Sequence, residues 1–431
     1  MLSLSLSACA GAVPATSPQP TGISAESPTT AGPSLPGSQP KPEPDPPASP
    51  SIVSAAPDPT PGGHGLSVRW QPAELDEAGL DRVSISGIVG VPGGGYLASG
   101  HAETSAGGYL GELFWRSDDG RVWERSDVSG PSGVGTADSG PLGIVAVDGG
   151  GPWWSPDGVG WTKGDLEVRG DPRLWEVAVG DQAAVIISSE GAWASTDGLR
   201  WEPVTGERVE ASRLYGVTAT EEGFIAVGDE WTASPEEWPK GDYEARVWWI
   251  SPDGATWRLD RGGDLRGRTF DSLYYVWTVG DTALAIGTHG EADAFHECIR
   301  LYGGDCGTQW GVETAYRSVD GAPWQREYAV EEVGGEQPRL SFARGGADIE
   351  TWRDGLLALG LDGESPLALH ASTDGLTWER SWPHDQLPEM GYGFISTFFV
   401  DGDLAIISGT VEPVDDDSVQ ESFLQVGTVS P

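Results

Sequence analysis

Six times between Ser117 and Trp378 the chain repeats one seven-residue phrase, S-x-D-G-x-x-W. The copies are SDDGRVW from Ser117, SPDGVGW from Ser155, STDGLRW from Ser195, SPDGATW from Ser251, SVDGAPW from Ser318 and STDGLTW from Ser372. A spacing held this often marks a repeat architecture, in which one small unit cannot bury its apolar face alone. Asp-Gly between extended runs is also the strongest short-range hairpin signal, because Gly accepts positive φ and Asp can bond to the turn backbone. Each copy therefore predicts a strand, a tight turn and a strand.

Ahead of most boxes lie two short apolar runs around a further turn, such as VAVGDQAAVIIS from Val177, VTATEEGFIAVG from Val217 and WTVGDTALAIG from Trp277. Their length and β-branched content favour strands over helices. One unit then reads a, b, c, d, four antiparallel strands, which is the blade of a β-propeller. A seventh a-b pair follows at Phe394 to Ser408, then one more strand from Ser422, and no further box. LSVRWQPAEL, at Leu66 to Leu75, resembles the d strands and supplies the missing outer strand, with Trp70 in the place of the box tryptophans. The expected fold is all-β, a seven-bladed propeller closed by its N-terminal strand, with six and eight blades as the alternatives.

The repeated phrase resembles the Asp-box, or BNR repeat, of sialidases and many other secreted propellers, over Leu66 to Pro431. These boxes are one residue shorter than the family's usual S-x-D-x-G-x-T-W. In that family the box is a fold element on the rim away from the active site. The resemblance therefore implies a structural role for Asp119, Asp157, Asp197, Asp253, Asp320 and Asp374, with the box tryptophans packing between blades.

Residues 1–9 contain Leu6-Ser7-Ala8-Cys9, which fits the lipobox of bacterial lipoproteins, with Cys9 as the acylated residue. The segment reads as the end of a signal peptide whose charged start and longer apolar core would precede Met1. Residues 10–65 hold 15 of the 33 prolines and no aromatic residue. Such a stretch cannot bury enough apolar surface to offset the entropy of ordering and reads as a disordered linker. Extended, it would reach on the order of 150 Å, enough to carry residues 66–431 through a cell-wall layer. The localisation expected is the outer face of the cell membrane, attached only through a lipid.

With 66 acids against 25 bases the formal charge is −41, and no basic stripe interrupts it. That balance repels nucleic acid and anionic lipid and argues against a nucleic-acid partner. In an exported chain the close pair Cys298 and Cys306 favours a local disulfide over a metal site. No cofactor or metal is expected; the acids of VDDDS, from Val414, could take Ca²⁺ through oxygen ligands but lack the alternating spacing of a known loop.

Resemblance to sialidases raises enzymatic cleavage as an alternative. Those enzymes hold a sugar carboxylate with three arginines, the first in an F/Y-R-I-P motif, and attack with a tyrosine activated by a glutamate. No Arg-Ile-Pro occurs here, and nothing in the sequence ties candidates such as Arg116, Arg317 and Arg353 together. The motifs H-E-x-x-H, G-x-S-x-G and G-x-x-x-x-G-K are also absent. No catalytic residue is assigned.

Repeat folds carry binding where their connections vary. The a-b and c-d turns are short, while the long insertions fall in b-c or d-a connections, which share one face. Candidate ligand-binding residues there are Trp231, Trp238, Tyr243, His296 and Trp310, with Tyr275 and Trp352 on a strands near the central channel. Aromatic side chains stack on sugars or anchor protein partners, although they could equally form small cores for their own loops. The expected function is a lipid-anchored, extracytoplasmic, non-catalytic binding or scaffold module for a glycan or protein partner. A sialidase-like glycoside hydrolase and an assembly factor for an envelope complex are the alternatives.

Overall fold

The computed structural model describes residues 67–430, leaving out 81, 105–107, 128, 167–173, 189–190, 207, 210–211, 232–242, 261–271, 290–311, 329–346, 363–364, 376–377, 382–392 and 412–420. Its strands form seven small antiparallel sheets, the blades of an all-β propeller. Blade one comprises β3 (Arg82–Gly90), β4 (Tyr96–Glu103), β5 (Tyr109–Ser117) and β6 (Val122–Ser126), with β2 (Glu74–Leu75) added parallel to β6. Blade two is β7 (Ala137–Gly140), β8 (Gly143–Asp148), β9 (Gly151–Ser155) and β10 (Thr162–Lys163); blade three is β11 (Leu174–Val179), β12 (Ala184–Ser188), β13 (Gly191–Ser195) and β14 (Glu202–Pro203). Blade four is β15 (Ser212–Thr220), β16 (Gly223–Trp231), β17 (Tyr243–Ile250) and β18 (Trp257–Leu259); blade five is β19 (Ser272–Val279), β20 (Thr282–His289), β21 (Val312–Val319) and β22 (Gln325–Tyr328). Blade six is β23 (Ala347–Trp352), β24 (Gly355–Asp362), β25 (Ser365–Ser372) and β26 (Glu379–Ser381).

Blade seven joins the two ends of the ring. Its strands β27 (Gly393–Asp401), β28 (Leu404–Val411) and β29 (Glu421–Ser430) come from the C-terminal end, and its outer strand is β1 (Ser67–Pro72). β1 runs antiparallel to β29 with Trp70 opposite Gly427, so the N-terminal strand closes the ring as expected.

Packing follows the same seven-fold logic. Among the described residues the buried apolar side chains fall into seven clusters, one at each junction between neighbouring blades. Each junction includes one tryptophan from the outer part of its later blade: Trp123, Trp161, Trp201, Trp257, Trp324, Trp378 and, in the junction of blades six and seven, Trp70. Trp70 thus occupies the box-tryptophan place without a box. A single blade exposes apolar residues on both faces, so only the closed stack removes them from water.

The box turns explain why these letters recur. In the first, Ser117 Oγ accepts from Gly120 N–H at 2.8 Å, Asp119 Oδ1 accepts from Arg121 and Val122 N–H at 2.8 and 3.2 Å, and Trp123 Nε1 donates to the Gly120 carbonyl at 2.8 Å. Gly120 has φ 73°, which an L side chain rarely adopts. The second and third boxes repeat the aspartate bonds, and Trp161, Trp201 and Trp257 repeat the tryptophan bond. Bonds from the backbone, led by Arg200 N–H, draw Asp197 down to about 2.

The fifth box departs from this geometry. Pro323 stands where the second backbone donor should be and has no N–H. Asp320 itself adopts φ 51°, Ser318 Oγ donates to the Ala322 carbonyl, and Trp324 Nε1 finds no hydrogen-bond partner among the described residues. Asp320 therefore does not share the turn-organising bonds of Asp119, Asp157 and Asp197. Asp197→Ala, which strands two backbone donors, should lower stability by about 1–2 kcal/mol. Asp320→Gly, which relieves a positive φ, should change it by less than about 0.5 kcal/mol. Urea midpoints of the two variants check the contrast, and equal losses would contradict it.

Candidate functional site

The polarity of the blades sets which connections share a face. Each a strand starts where its b strand ends, as Ser212 pairs with Glu230 and Ser272 with Thr288. The long connections across 232–242, 290–311 and 412–420 therefore leave from the same end of the ring at which the a strands begin. The short a-b turns and the boxes lie at the opposite end.

At the starting end, five a strands carry an extra residue opposite the b strand: the register slips between Ile85 and Gly87, Leu174 and Glu176, Leu214 and Gly216, Leu273 and Tyr275, and Ile395 and Thr397. A β-bulge of this kind bends the strand and re-aims the side chains after it. Close by, the starts of the a strands of blades two to five line an open cavity of about 230 Å³. Its walls are Gly135, Thr136 and Ala137, Glu176 and Val177, and Tyr215 and Tyr275. Glycine and alanine leave room on one side while the two tyrosines bound the other.

Two acids belong to this region. Asp138 Oδ2 accepts the Val179 N–H of the next blade at 2.7 Å, and Glu176 Oε2 accepts the Val217 N–H of the blade after at 2.8 Å. Both bonds link one inner strand to its neighbour. Burial pushes the Asp138 carboxyl up to about 6. Burial, reinforced by Asp138, pushes Glu176 up to about 8.

Raised values have a definite sign. The folded chain holds protons that the unfolded chain releases, so this stabilising contribution is complete at low pH, below the ordinary 3.8 and 4.5, and is lost as pH rises through about 6 and about 8. Glu176→Gln keeps an acceptor for Val217 and should flatten the fall in stability between pH 5 and pH 8, raising stability at pH 8 relative to the wild type. Urea unfolding at both pH values checks this; an unchanged slope in the variant would sink the assignment.

Tyr275 is 40% exposed and stacks on Trp277 at 5.7 Å. Tyr215 lies edge-on to Tyr274 at 5.4 Å, with the Arg213 guanidinium 5.8 Å over its ring. Arg213 also pairs with buried Asp229 at 2.9 Å, and Asp229 accepts from Ser272 Oγ at 2.5 Å. Beside it, buried Glu230 is held by Arg208 and Arg246. Removing Arg213, or Arg208 and Arg246 together, would leave a buried carboxylate without these partners, so the pairs pin the C-terminal end of β16.

Of the sequence candidates, Tyr275 lines the cavity. Trp352 does not: it is the last residue of β23, at the a-b turn, where it packs against the cluster of blades six and seven beneath the Arg353 guanidinium. The expectation that it stands near the variable end is corrected by that position. Trp231 and Tyr243 are register partners at the ends of β16 and β17. Cys9, Trp238, His296, Cys298, Cys306, Trp310 and the acids after Val414 lie outside the described residues. Among those described, no three metal-ligating side chains converge, and no helix is long and apolar enough to cross a membrane.

The arginines weighed for a sugar carboxylate are dispersed. Arg116 donates to the Asp157 carbonyl, Arg317 lies beside the fifth box and Arg353 bonds Asp403 between two a-b turns. All three lie at the box end, away from the cavity. Asp138, Glu176, Thr136 and Val177 were not anticipated as site residues. The available signal was a single acid in an apolar inner strand, LWEVAV from Leu174.

No family model matches the chain, and no curated protein does. Among solved structures, it is similar to a protein of unknown function from Dyadobacter fermentans, at 12% identity over 84% of this chain and 99% of the other, with a TM-score of 0.40. It is similar to the GH74 enzyme of Niastella koreensis at 13% identity over 79% of this chain and 65% of that one, TM-score 0.36. A GH93 α-L-arabinofuranosidase of Fusarium graminearum aligns at 11% identity over 82% and 96% of the two chains, TM-score 0.36. Likenesses this distant leave the activity of the chain open.

Proposed function

We propose that the protein is an exported Asp-box propeller that binds a glycan or protein partner without catalysis, held at the membrane through Cys9 and the linker of residues 10–65. The observation that carries this is spatial coincidence: the strand ends that the long connections join and the cavity lie at the same end of the ring, the end at which the a strands begin. Uniform turns at one end and variable connections with a hollow at the other is the arrangement of a scaffold that presents a binding face. The wide excess of acids keeps that scaffold soluble beside an anionic surface.

A glycan-array assay on the full chain tests it. Binding that falls at least about tenfold in Trp231→Ala or Tyr275→Ala, with folding intact by circular dichroism, supports recognition at this end. Binding unaffected by either, but lost on changing the exposed box-end residue Val159 to Asp, would place recognition at the wrong end and overturn the proposal. A silent array combined with a partner captured from envelope extract and released by Trp231→Ala would favour the protein-partner form of the same proposal.

Glycoside hydrolysis is the second reading, and one observation favours it. Asp138 and Glu176 are neighbouring carboxyls raised by burial, the condition expected of a general acid. Against it, each already spends an oxygen on a backbone N–H of the next blade, and among the described residues no arginine lines the cavity.

A further inference from the structure

We infer that the cavity at the head of the inner strands takes an organic ammonium group, seated against Glu176 and flanked by Tyr215 and Tyr275. This rests on the binding role proposed above and names the chemistry of its ligand.

Among the described residues Glu176 is the one carboxyl on the cavity wall, and no Lys, Arg or His joins it there. Its influences are burial, the Val217 N–H and the neighbouring acid Asp138, and among the described residues no base acts on it. A half-buried carboxyl with a second acid beside it and, among the described residues, no base acting on it is an incomplete electrostatic arrangement. A ligand cation completes it by favouring the ionised carboxylate, whose proton passes to water on binding, because opposite charges attract more strongly where water is restricted. An anion at the same place would gain no opposite charge and would oppose ionisation of Glu176.

The rest of the wall suits an organic cation better than a bare metal ion. Metal ions of the hard type ask for six or more oxygens, and the wall offers Glu176, Thr136, two phenols and backbone. Aromatic faces, by contrast, attract ammonium groups through their quadrupole. Tyr215 shows that this neighbourhood accepts such contacts, since the Arg213 guanidinium already lies over its ring. Tyr275 is held by stacking on Trp277, which fixes a wall at little entropic cost on binding. Val177 and Ala137 provide apolar surface for the carbon skeleton next to the charge. The −41 charge of the chain would draw cations toward the ring from a distance.

The shared chemistry, a compact ammonium on a small carbon frame, is offered by two sources: a free organic amine, and a sugar whose amino group is unacetylated. Titration calorimetry of the full chain with choline, glucosamine and N-acetylglucosamine separates them. Glucosamine or choline should bind, while N-acetylglucosamine, which lacks the charge, should bind at least about tenfold more weakly. Preference for glucosamine identifies the sugar source, and preference for choline the free amine; either upholds the inference. Glu176→Gln should weaken the bound ammonium probe by about tenfold or more, and Tyr275→Ala, at a half-exposed position that tolerates truncation, should do so independently should the first variant fail to fold.

Equal binding of glucosamine and its N-acetyl form, or binding that ignores both substitutions, would overturn the inference. So would the absence of any heat with choline and glucosamine up to about 10 mM, a concentration that detects even contacts of a few kcal/mol. If these probes fail while the glycan array still shows binding sensitive to Trp231→Ala, the ammonium assignment falls and the binding role stands. Failure of both removes the two together.

Discussion

A chain shortened to begin at Ala73, without β1, should lose cooperative melting and self-associate beyond the state of the full chain. β1 supplies the outer strand of blade seven, pairing from Ser67 opposite Ser430 to Pro72 opposite Gln425. Its loss leaves β29 as an unpaired edge of ten residues, Glu421–Ser430, ready to pair with another copy. It also removes Val68 and Trp70, both buried, from the junction of blades six and seven. Trp70→Ala alone should cost about 3–5 kcal/mol, as expected for a tryptophan removed from a packed interior. The truncation removes that contribution and the ladder together. Size-exclusion chromatography and a thermal melt check this, and a shortened protein that elutes in the same state as the full chain and melts within a few degrees of it would contradict ring closure through β1.

Gly287→Ala should be nearly as damaging, at on the order of 3–5 kcal/mol. A Cβ at Gly287 would stand 1.8 Å from the Ser272 carbonyl oxygen and 2.8 Å from the Leu273 Cα, both backbone atoms of the adjoining a strand. The a strand bulges immediately afterwards, between Leu273 and Tyr275, so backbone cannot move away without disturbing the residue that walls the cavity. Gly228 and Gly100 meet their own a strands in the same way, at 2.0 and 2.2 Å from Arg213 and Ser84 oxygens. Gly149→Ala is the control, since a Cβ there meets nothing within 4 Å. Denaturant midpoints should separate the two variants clearly; equal stability would mean the bulge is not a fixed feature.

The ring was largely legible in the letters because its units repeat. In the first three boxes the S-x-D-G-x-x-W phrase encodes its own turn through local bonds, so the strands on either side could be placed without tertiary information. Trp70 was legible for a related reason: it sits in a d-like strand with no box, and its burial with Leu357 and Val429 is the role that Trp378 or Trp324 plays elsewhere. Asp320 was misjudged as equivalent to the other aspartates because the effect of Pro323 is the loss of one N–H, which a spacing pattern does not register.

The candidate site was legible only in part. The choice of the variable end follows from strand order, and Tyr275 followed from its place on an a strand. Trp352 looked equivalent by count, but β23 carries no bulge in its described pairing and ends at that residue, which puts it at the turn. Glu176 and Asp138 were invisible for a physical reason: among 66 acids, what distinguishes them is bonding to a backbone N–H of the next blade, a contact between residues 41 apart. Composition cannot pick out such a pair, whereas the folded ring does.

The central claim is recognition without turnover, and the most direct measurement is hydrolysis of a panel of fluorogenic glycosides, sialosides and amino-sugar glycosides included, by the full chain from pH 5 to pH 8. The account predicts no release above the buffer rate for any member, under conditions where the glycan array detects binding. Release that rises with protein concentration and is abolished by Glu176→Gln or Asp138→Asn would contradict it, and would make the acid pair at the head of the inner strands a catalytic one.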